Sequence, residues 1–146
     1  VAKSAIIAAM INCTIALEFN IVKRLLDHEG KCRFLHGYRC ALEVSFNGPK
    51  GKGEMVADFH MLQKKLAGWV EDNWGHTVVL GDKDKSLGKS ISDATGQKVF
   101  YMKGDPSAEN MAEYLKDIVC PKLFGKLKCT RVRLYDTPEA WVEVTD

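Results

Sequence analysis

Phe34-Leu35-His36-Gly37-Tyr38-Arg39-Cys40-Ala41-Leu42-Glu43-Val44-Ser45-Phe46, running into Asn47-Gly48-Pro49-Lys50-Gly51-Lys52-Gly53, is the stretch on which the fold turns. Leu42, Val44 and Phe46 fall on one side of a period-two pattern bracketed by Ala41 and Ser45, which is the signature of a half-buried strand. The glycine- and proline-rich run that follows is turn chemistry, and Met55 to Ala57 are expected to return as a paired strand. Upstream, Ile6 to Phe19 reads as another strand, with Ile15, Leu17 and Phe19 set against Thr14, Glu18 and Asn20. The charged segment Asp27 to Lys31, with Gly30 inside it, separates the two strands as a loop.

Downstream, Asp58 is a candidate N-cap for a helix whose apolar stripe is Leu62, Leu66, Trp69 and Val70. Gly75-His76 and a short apolar run to Leu80 follow, then a polar stretch from Gly81 to Gln97 that reads as loop, then Val99 to Met102 as a short strand. Pro106-Ser107 opens a second helix with Met111, Leu115, Ile118 and Val119 on one face and Pro121 near its end. Two last strands are predicted, Cys129 to Tyr135 and Ala140 to Val144. Strands grouped apart from helices argue a single α+β domain over residues 1–146, a four-stranded antiparallel sheet with two helices on one face. Such a sheet leaves edges that need partners, and closure into an oligomeric barrel removes them.

Composition narrows the function classes. Apolar residues make up 46% and charged residues 27% of the 146, an ordinary globular balance. With 21 basic against 19 acidic side chains, no nucleic-acid or membrane partner is expected. The lysine groups Lys50/Lys52 and Lys83/Lys85/Lys89 read as solvated loops. Five cysteines (Cys13, Cys32, Cys40, Cys120, Cys129) are odd in number and form no CxxC pair, which argues against a disulfide framework and for a reducing, cytoplasmic setting. The apolar run Ala5 to Ala16 is broken by Asn12 and Thr14 and is shorter than the roughly 20 residues of a membrane span. It reads as a buried strand rather than a signal peptide.

Six segments in order carry a family resemblance: Phe19-Asn20-Ile21-Val22-Lys23-Arg24-Leu25, Cys32-Arg33-Phe34-Leu35-His36-Gly37-Tyr38, Glu54-Met55-Val56-Ala57-Asp58-Phe59, Gly75-His76, Pro106-Ser107-Ala108-Glu109-Asn110 and Asp136-Thr137. They resemble, respectively, the Phe-x-Ala-Ala-His-x-Leu, Cys-x-x-x-His-Gly-His, Gly-Met-Val-x-Asp-Phe, Asp-His, Pro-Thr-x-Glu-Asn and Glu-Thr segments of the 6-pyruvoyl-tetrahydropterin synthase and 6-carboxy-tetrahydropterin synthase family. The resemblance spans about Glu18 to Val144 and implies the tunnelling fold, assembled as a homohexamer made of two trimers.

It also implies a lyase chemistry in which dihydroneopterin triphosphate or a related pterin loses triphosphate while protons move along its side chain. In the family, zinc on three histidines stabilises the enolate-like charge, a cysteine serves as base, and an Asp-His pair relays a second proton. Carried over by position, Cys32 and His76 are the catalytic candidates, and Asp136 with Thr137 stands where a carboxylate grips the pterin edge. His36 is the one retained metal ligand, because Lys23 and Tyr38 hold the other two histidine positions and an ammonium has no lone pair to offer. Zinc is therefore expected to be absent or weak. Neighbouring His28 sits on a charged loop, and its plainer reading is a solvated histidine. Either Lys23 supplies a fixed cation in place of the metal and contacts substrate, or Lys23 and Tyr38 mark a site fallen from use. The resemblance thus leaves two functions open: a divergent synthase, or a zinc-free pterin- or purine-binding protein without lyase activity.

Overall fold

A computed structural model describes residues 9–146; the part of the first predicted strand that falls on residues 6–8 lies outside them. Strand β1 (Ile11–Lys23) and strand β2 (His36–Gly48) form a long antiparallel hairpin in which Leu17 faces Leu42 and Lys23 faces His36. Beyond β2 the chain does not return to the sheet. Gly51 N–H donates to the Met55 carbonyl (2.8 Å) around a short turn, so the strand expected at Met55–Ala57 is absent and the chain enters helix α1 (Phe59–Asn73) directly. Asp58 caps that helix as predicted, accepting from the His60 N–H at 2.8 Å.

The sheet is larger than expected. Helix α1 crosses over to strand β3 (Thr77–Gly81), which lies parallel to β1, and helix α2 (Lys85–Thr95) leads to strand β4 (Val99–Met102), parallel to β3. Helix α3 (Ala108–Tyr114) runs on through a wider π-type turn at Leu115–Val119 into a last helical segment, α4 (Cys120–Phe124). Ser107 caps its start by accepting from the Asn110 N–H. Strands β5 (Lys128–Thr137) and β6 (Ala140–Thr145) then add antiparallel to β2. The result is a mixed six-stranded sheet in the order β4-β3-β1-β2-β5-β6 rather than four antiparallel strands.

Two misreadings explain the difference. Thr77 to Gly81 is buried at every position, so it shows no alternation, as expected of a parallel strand covered on both faces. The stretch read as polar loop holds α2, a helix rich in Ser and Lys that ends on Gly96 in the left-handed region (φ 71°). Arg24 anchors its start through two 2.6 Å contacts to the Asp84 carboxylate.

The helices and the sheet enclose one core. Ile15, Phe19 and Ile21 of β1 and Leu42, Val44 and Phe46 of β2 pack against Leu62, Leu66 and Val70 of α1 and Met111, Leu115 and Val119 beyond. Each fully buried side chain of this size contributes about 1.5–3 kcal/mol. The opposite sheet face is polar: Glu18 meets Arg39, and Glu43, Arg133, Glu143 and Arg131 form an ion-pair ladder.

Candidate functional site

At the end of the β1–β2 hairpin, strand register decides which side chains meet. Lys23 is opposite His36 and Ile21 opposite Tyr38, so Lys23, His36, Tyr38 and Cys40 share the helix-facing side of the sheet. The rings of His36 and Tyr38 lie 4.2 Å apart, and the Lys23 ammonium sits 4.6 Å from the Tyr38 ring centroid. Cys32 stands beside the Tyr38 hydroxyl. Asp136 enters at an irregularity of β5 between Tyr135 and Thr137, and its Oδ1 accepts from Lys23 Nζ at 2.8 Å. Five separated sequence positions therefore converge on one corner: Lys23, Cys32, His36, Tyr38 and Asp136.

Lys23 is the hub of this corner. Only 1% of it is exposed, and its Nζ also donates to the Pro106 carbonyl at 3.1 Å. The ammonium donates to Asp136 and to Pro106, and the face of the Tyr38 ring lies beside it. Lys23 thereby ties β1 to β5 and to the loop ahead of α3. The residue read from the sequence as a substrate contact thus donates to two protein acceptors in this structure. Burial, with Cys32 next to it, pushes the Tyr38 hydroxyl far above the usual phenol range. Burial likewise raises the Cys40 thiol beneath the corner to about 12, which keeps it protonated and inert at neutral pH.

These donors do not fit a zinc ion. Three imidazoles around an open position become one exposed imidazole, a phenol held protonated and an ammonium with no lone pair. Among the described residues no group of three or more His, Cys, Asp and Glu converges in metal-binding geometry. His28 is no substitute: its Nδ1 accepts from the Gly30 N–H at 2.8 Å within its own exposed loop.

The other candidates lie elsewhere. Asn20 and Val22 alternate with Ile21 and Lys23, so they face the opposite side of the sheet, where they line a groove of about 450 Å³ with Gly37, Arg39, His76 and Gln97. His76 belongs to that groove, whose lining also includes Ile21 and Tyr38 but not Cys32. Thr137 is the exposed last residue of β5, accepts from the Glu139 N–H at 3.3 Å, and borders a second hollow on the same polar face with Glu18, Arg39 and Tyr135. Within one chain, then, Asp136 joins the Lys23 corner and Thr137 and His76 do not. The sequence pointed to none of Pro106, Asn20 and Gln97 as site-forming; Pro106 acts through its carbonyl, which no side-chain pattern reveals.

Comparisons with known proteins identify the family and the fold. The profile described as 6-pyruvoyl tetrahydropterin synthase matches residues 12–146. A 6-carboxy-5,6,7,8-tetrahydropterin synthase from Rickettsia bellii is 42% identical over 139 residues, covering 92% of this chain and all of the relative. The chain belongs to the 6-pyruvoyl tetrahydropterin synthase family. Among solved structures, an uncharacterised protein from Wolinella succinogenes superposes with a TM-score of 0.79 at 14% identity, covering 95% of this chain and 99% of that one. The 6-pyruvoyl tetrahydropterin synthase of Caenorhabditis elegans superposes with a TM-score of 0.66 at 18% identity, covering 94% and 96%. Both likenesses establish the α+β fold. No helix among the described residues is long and apolar enough to cross a membrane.

Proposed function

We propose that this chain is a tetrahydropterin-synthase-type lyase that acts on dihydroneopterin triphosphate or a closely related pterin without a zinc ion. The observation that carries the reading is the convergence of Cys32, His36, Asp136 and the Lys23 ammonium on one corner. In the reaction, a base removes a proton from a side-chain carbon of the pterin, the C–H electrons form the new double bond, and triphosphate leaves with the C–O electron pair. Cys32 is positioned to be that base. The Lys23 charge stands where the family resemblance implies a metal-ligating histidine, and through space it favours negative charge developing nearby. Asp136 Oδ2 has no hydrogen-bond partner among the described residues, and a carboxylate has about four acceptor sites, so in this reading it accepts from Lys23 and from a pterin N–H together.

Cys32 does not line the His76 groove, so in this reading chemistry that uses both draws on a second copy of the chain. The edges of β4 and β6, unpaired among the described residues, are where copies would join, and a homohexamer is the assembly proposed. Light scattering at micromolar concentration is expected to find an oligomer, and a monodisperse monomer would refute the shared site. Mixing Cys32→Ser with His76→Ala protein is expected to recover part of the activity that each variant lacks.

A second reading, pterin binding without lyase activity, is favoured by one observation: Lys23 already donates to two protein acceptors. One assay separates the two. Purified protein is treated with chelator and incubated with dihydroneopterin triphosphate, and released triphosphate is measured beside calorimetric binding of neopterin. Release unaffected by chelator supports the metal-free lyase. Binding without release supports the second reading, and neither result would leave a decayed pocket.

A further inference from the structure

His76 is one of two non-glycine described residues with positive φ (54°), a conformation that ordinary side chains rarely adopt and that persists only when its surroundings hold it. Here the hold is visible. The His76 N–H donates to the Asn20 carbonyl at 2.8 Å, and the Gln97 side-chain amide donates to the His76 carbonyl at 3.3 Å. The strained backbone aims an exposed imidazole at the groove.

Beside it, the residue before His76 is Gly75, whose φ lies in the ordinary range, so backbone freedom does not explain the glycine. Space does. A Cβ at position 75 would stand 2.6 Å from Glu71 Oε2 and 3.2 Å from the Glu71 Cα. The Glu71 carboxylate, one helical turn earlier, occupies the room a side chain at 75 would need, and its Oε1 lies 4.0 Å from His76 Nδ1. Nor does Glu71 serve its own helix. It sits in the last turn of α1, which has no basic residue, where the carbonyl end of the dipole disfavours a carboxylate.

We propose that Glu71 is the positioning residue of His76: its carboxylate, admitted by Gly75, stands beside the imidazole that faces the groove and biases its ring orientation. The Glu71 side chain acts through His76 and does not touch substrate. The role of His76 in turnover rests on the function proposed above; the Glu71–His76 coupling does not.

The test uses the full-length protein with His76 observed by 15N imidazole resonances, which report tautomer and ring mobility directly. Glu71→Gln is expected to shift the His76 ring resonances toward those of an unrestrained imidazole and to lower kcat for triphosphate release about threefold with KM changed less than twofold. The double variant Glu71→Ala/Gly75→Asp, which moves the carboxylate to the neighbouring position, is expected to restore both. Unchanged ring resonances in Glu71→Gln, or a double variant no better than Glu71→Ala, would overturn the proposal. A wild-type protein that releases no triphosphate while its His76 resonances respond to Glu71→Gln would instead overturn the lyase reading and leave the coupling standing.

Discussion

The Lys23 corner and the His76 rim are two places where this chain departs from the residues of its family, and the departures are accommodated in opposite ways. At the corner the replacement is built into the core: Lys23 is 1% exposed, with Asp136, Pro106 and Tyr38 around its ammonium. At the rim the replacement is an omission, Gly75, and a surface carboxylate from the preceding helical turn fills the gap. A buried substitution must satisfy every polar atom it brings, because an unpaired charge in the interior costs several kcal/mol. An exposed one can rely on water, so a 4.0 Å contact between side chains that are 76% and 72% exposed gives orientation and little stability. Variants at the corner are therefore expected to change stability together with function, and variants at the rim to change function with little effect on stability.

The largest effect expected is on metal affinity. Lys23→His with Tyr38→His places three imidazoles with His36 around one point and removes the ammonium that repels a dication. Zinc content is expected to rise from below about 0.1 to about one per chain, read by atomic emission after dialysis. Stoichiometric zinc in the unaltered protein would break the distinction drawn here, since the corner would then be a metal site after all. Next in size is Lys23→Met, which leaves the Asp136 carboxylate without its partner. A loss of about 3 kcal/mol is expected in urea unfolding, at the lower end of the range for broken buried pairs because Asp136 keeps 30% of its side-chain surface in water. Adding Asp136→Leu should recover most of it, since removing both charges removes the unpaired one.

The same contrast accounts for what the sequence disclosed. Elements with a one-sided pattern were legible: Leu42, Val44 and Phe46 alternate, Leu62, Leu66 and Val70 recur at helical spacing, and Asp58 and Ser107 cap the helices they precede. Strand β3 was not, because Thr77 to Gly81 is buried throughout and has no polar side to set the period. Helix α2 was hidden by its serines and lysines, and its anchor, Arg24 on Asp84, spans sixty positions of chain. At the site, positions were legible and partnerships were not. Motif order located Lys23, Cys32, His36, Tyr38 and Asp136, yet the Lys23–Asp136 pair joins residues 113 positions apart and appears only once β1 and β5 flank β2. Linear order names Cys32 and His76 but not their surroundings: His76 lines the groove with Asn20 and Gln97, and Cys32 stands beside the Tyr38 hydroxyl.

A smaller effect is expected from Asp136→Asn. The substitution keeps the shape but weakens the contact to Lys23 and puts an amide donor where a pterin N–H needs an acceptor. Neopterin or guanine binding is expected to fall about tenfold by calorimetry. Equal binding by the variant would remove Asp136 from the ligand site and leave it as the counter-ion of Lys23.

The smallest change in stability, and the sharpest probe of the rim, is Gly75→Ala. The new methyl meets Glu71 Oε2 at 2.6 Å, the free end of a flexible side chain that can swing into water, and the Glu71 Cα at 3.2 Å, which requires a shift of a few tenths of an ångström. The cost is expected to be below about 1 kcal/mol, because the position is not at positive φ and the Gly75 N–H to Val70 carbonyl bond (2.7 Å) is kept. The displaced carboxylate, however, no longer stands beside His76. Gly75→Ala is therefore expected to reproduce the imidazole resonances of Glu71→Gln while leaving every charge in place, so that the shared signature isolates the position of the carboxylate from its presence. Resonances that stay at the wild-type values in Gly75→Ala would mean that Glu71 reaches His76 from more than one rotamer, and that the glycine does not set the contact.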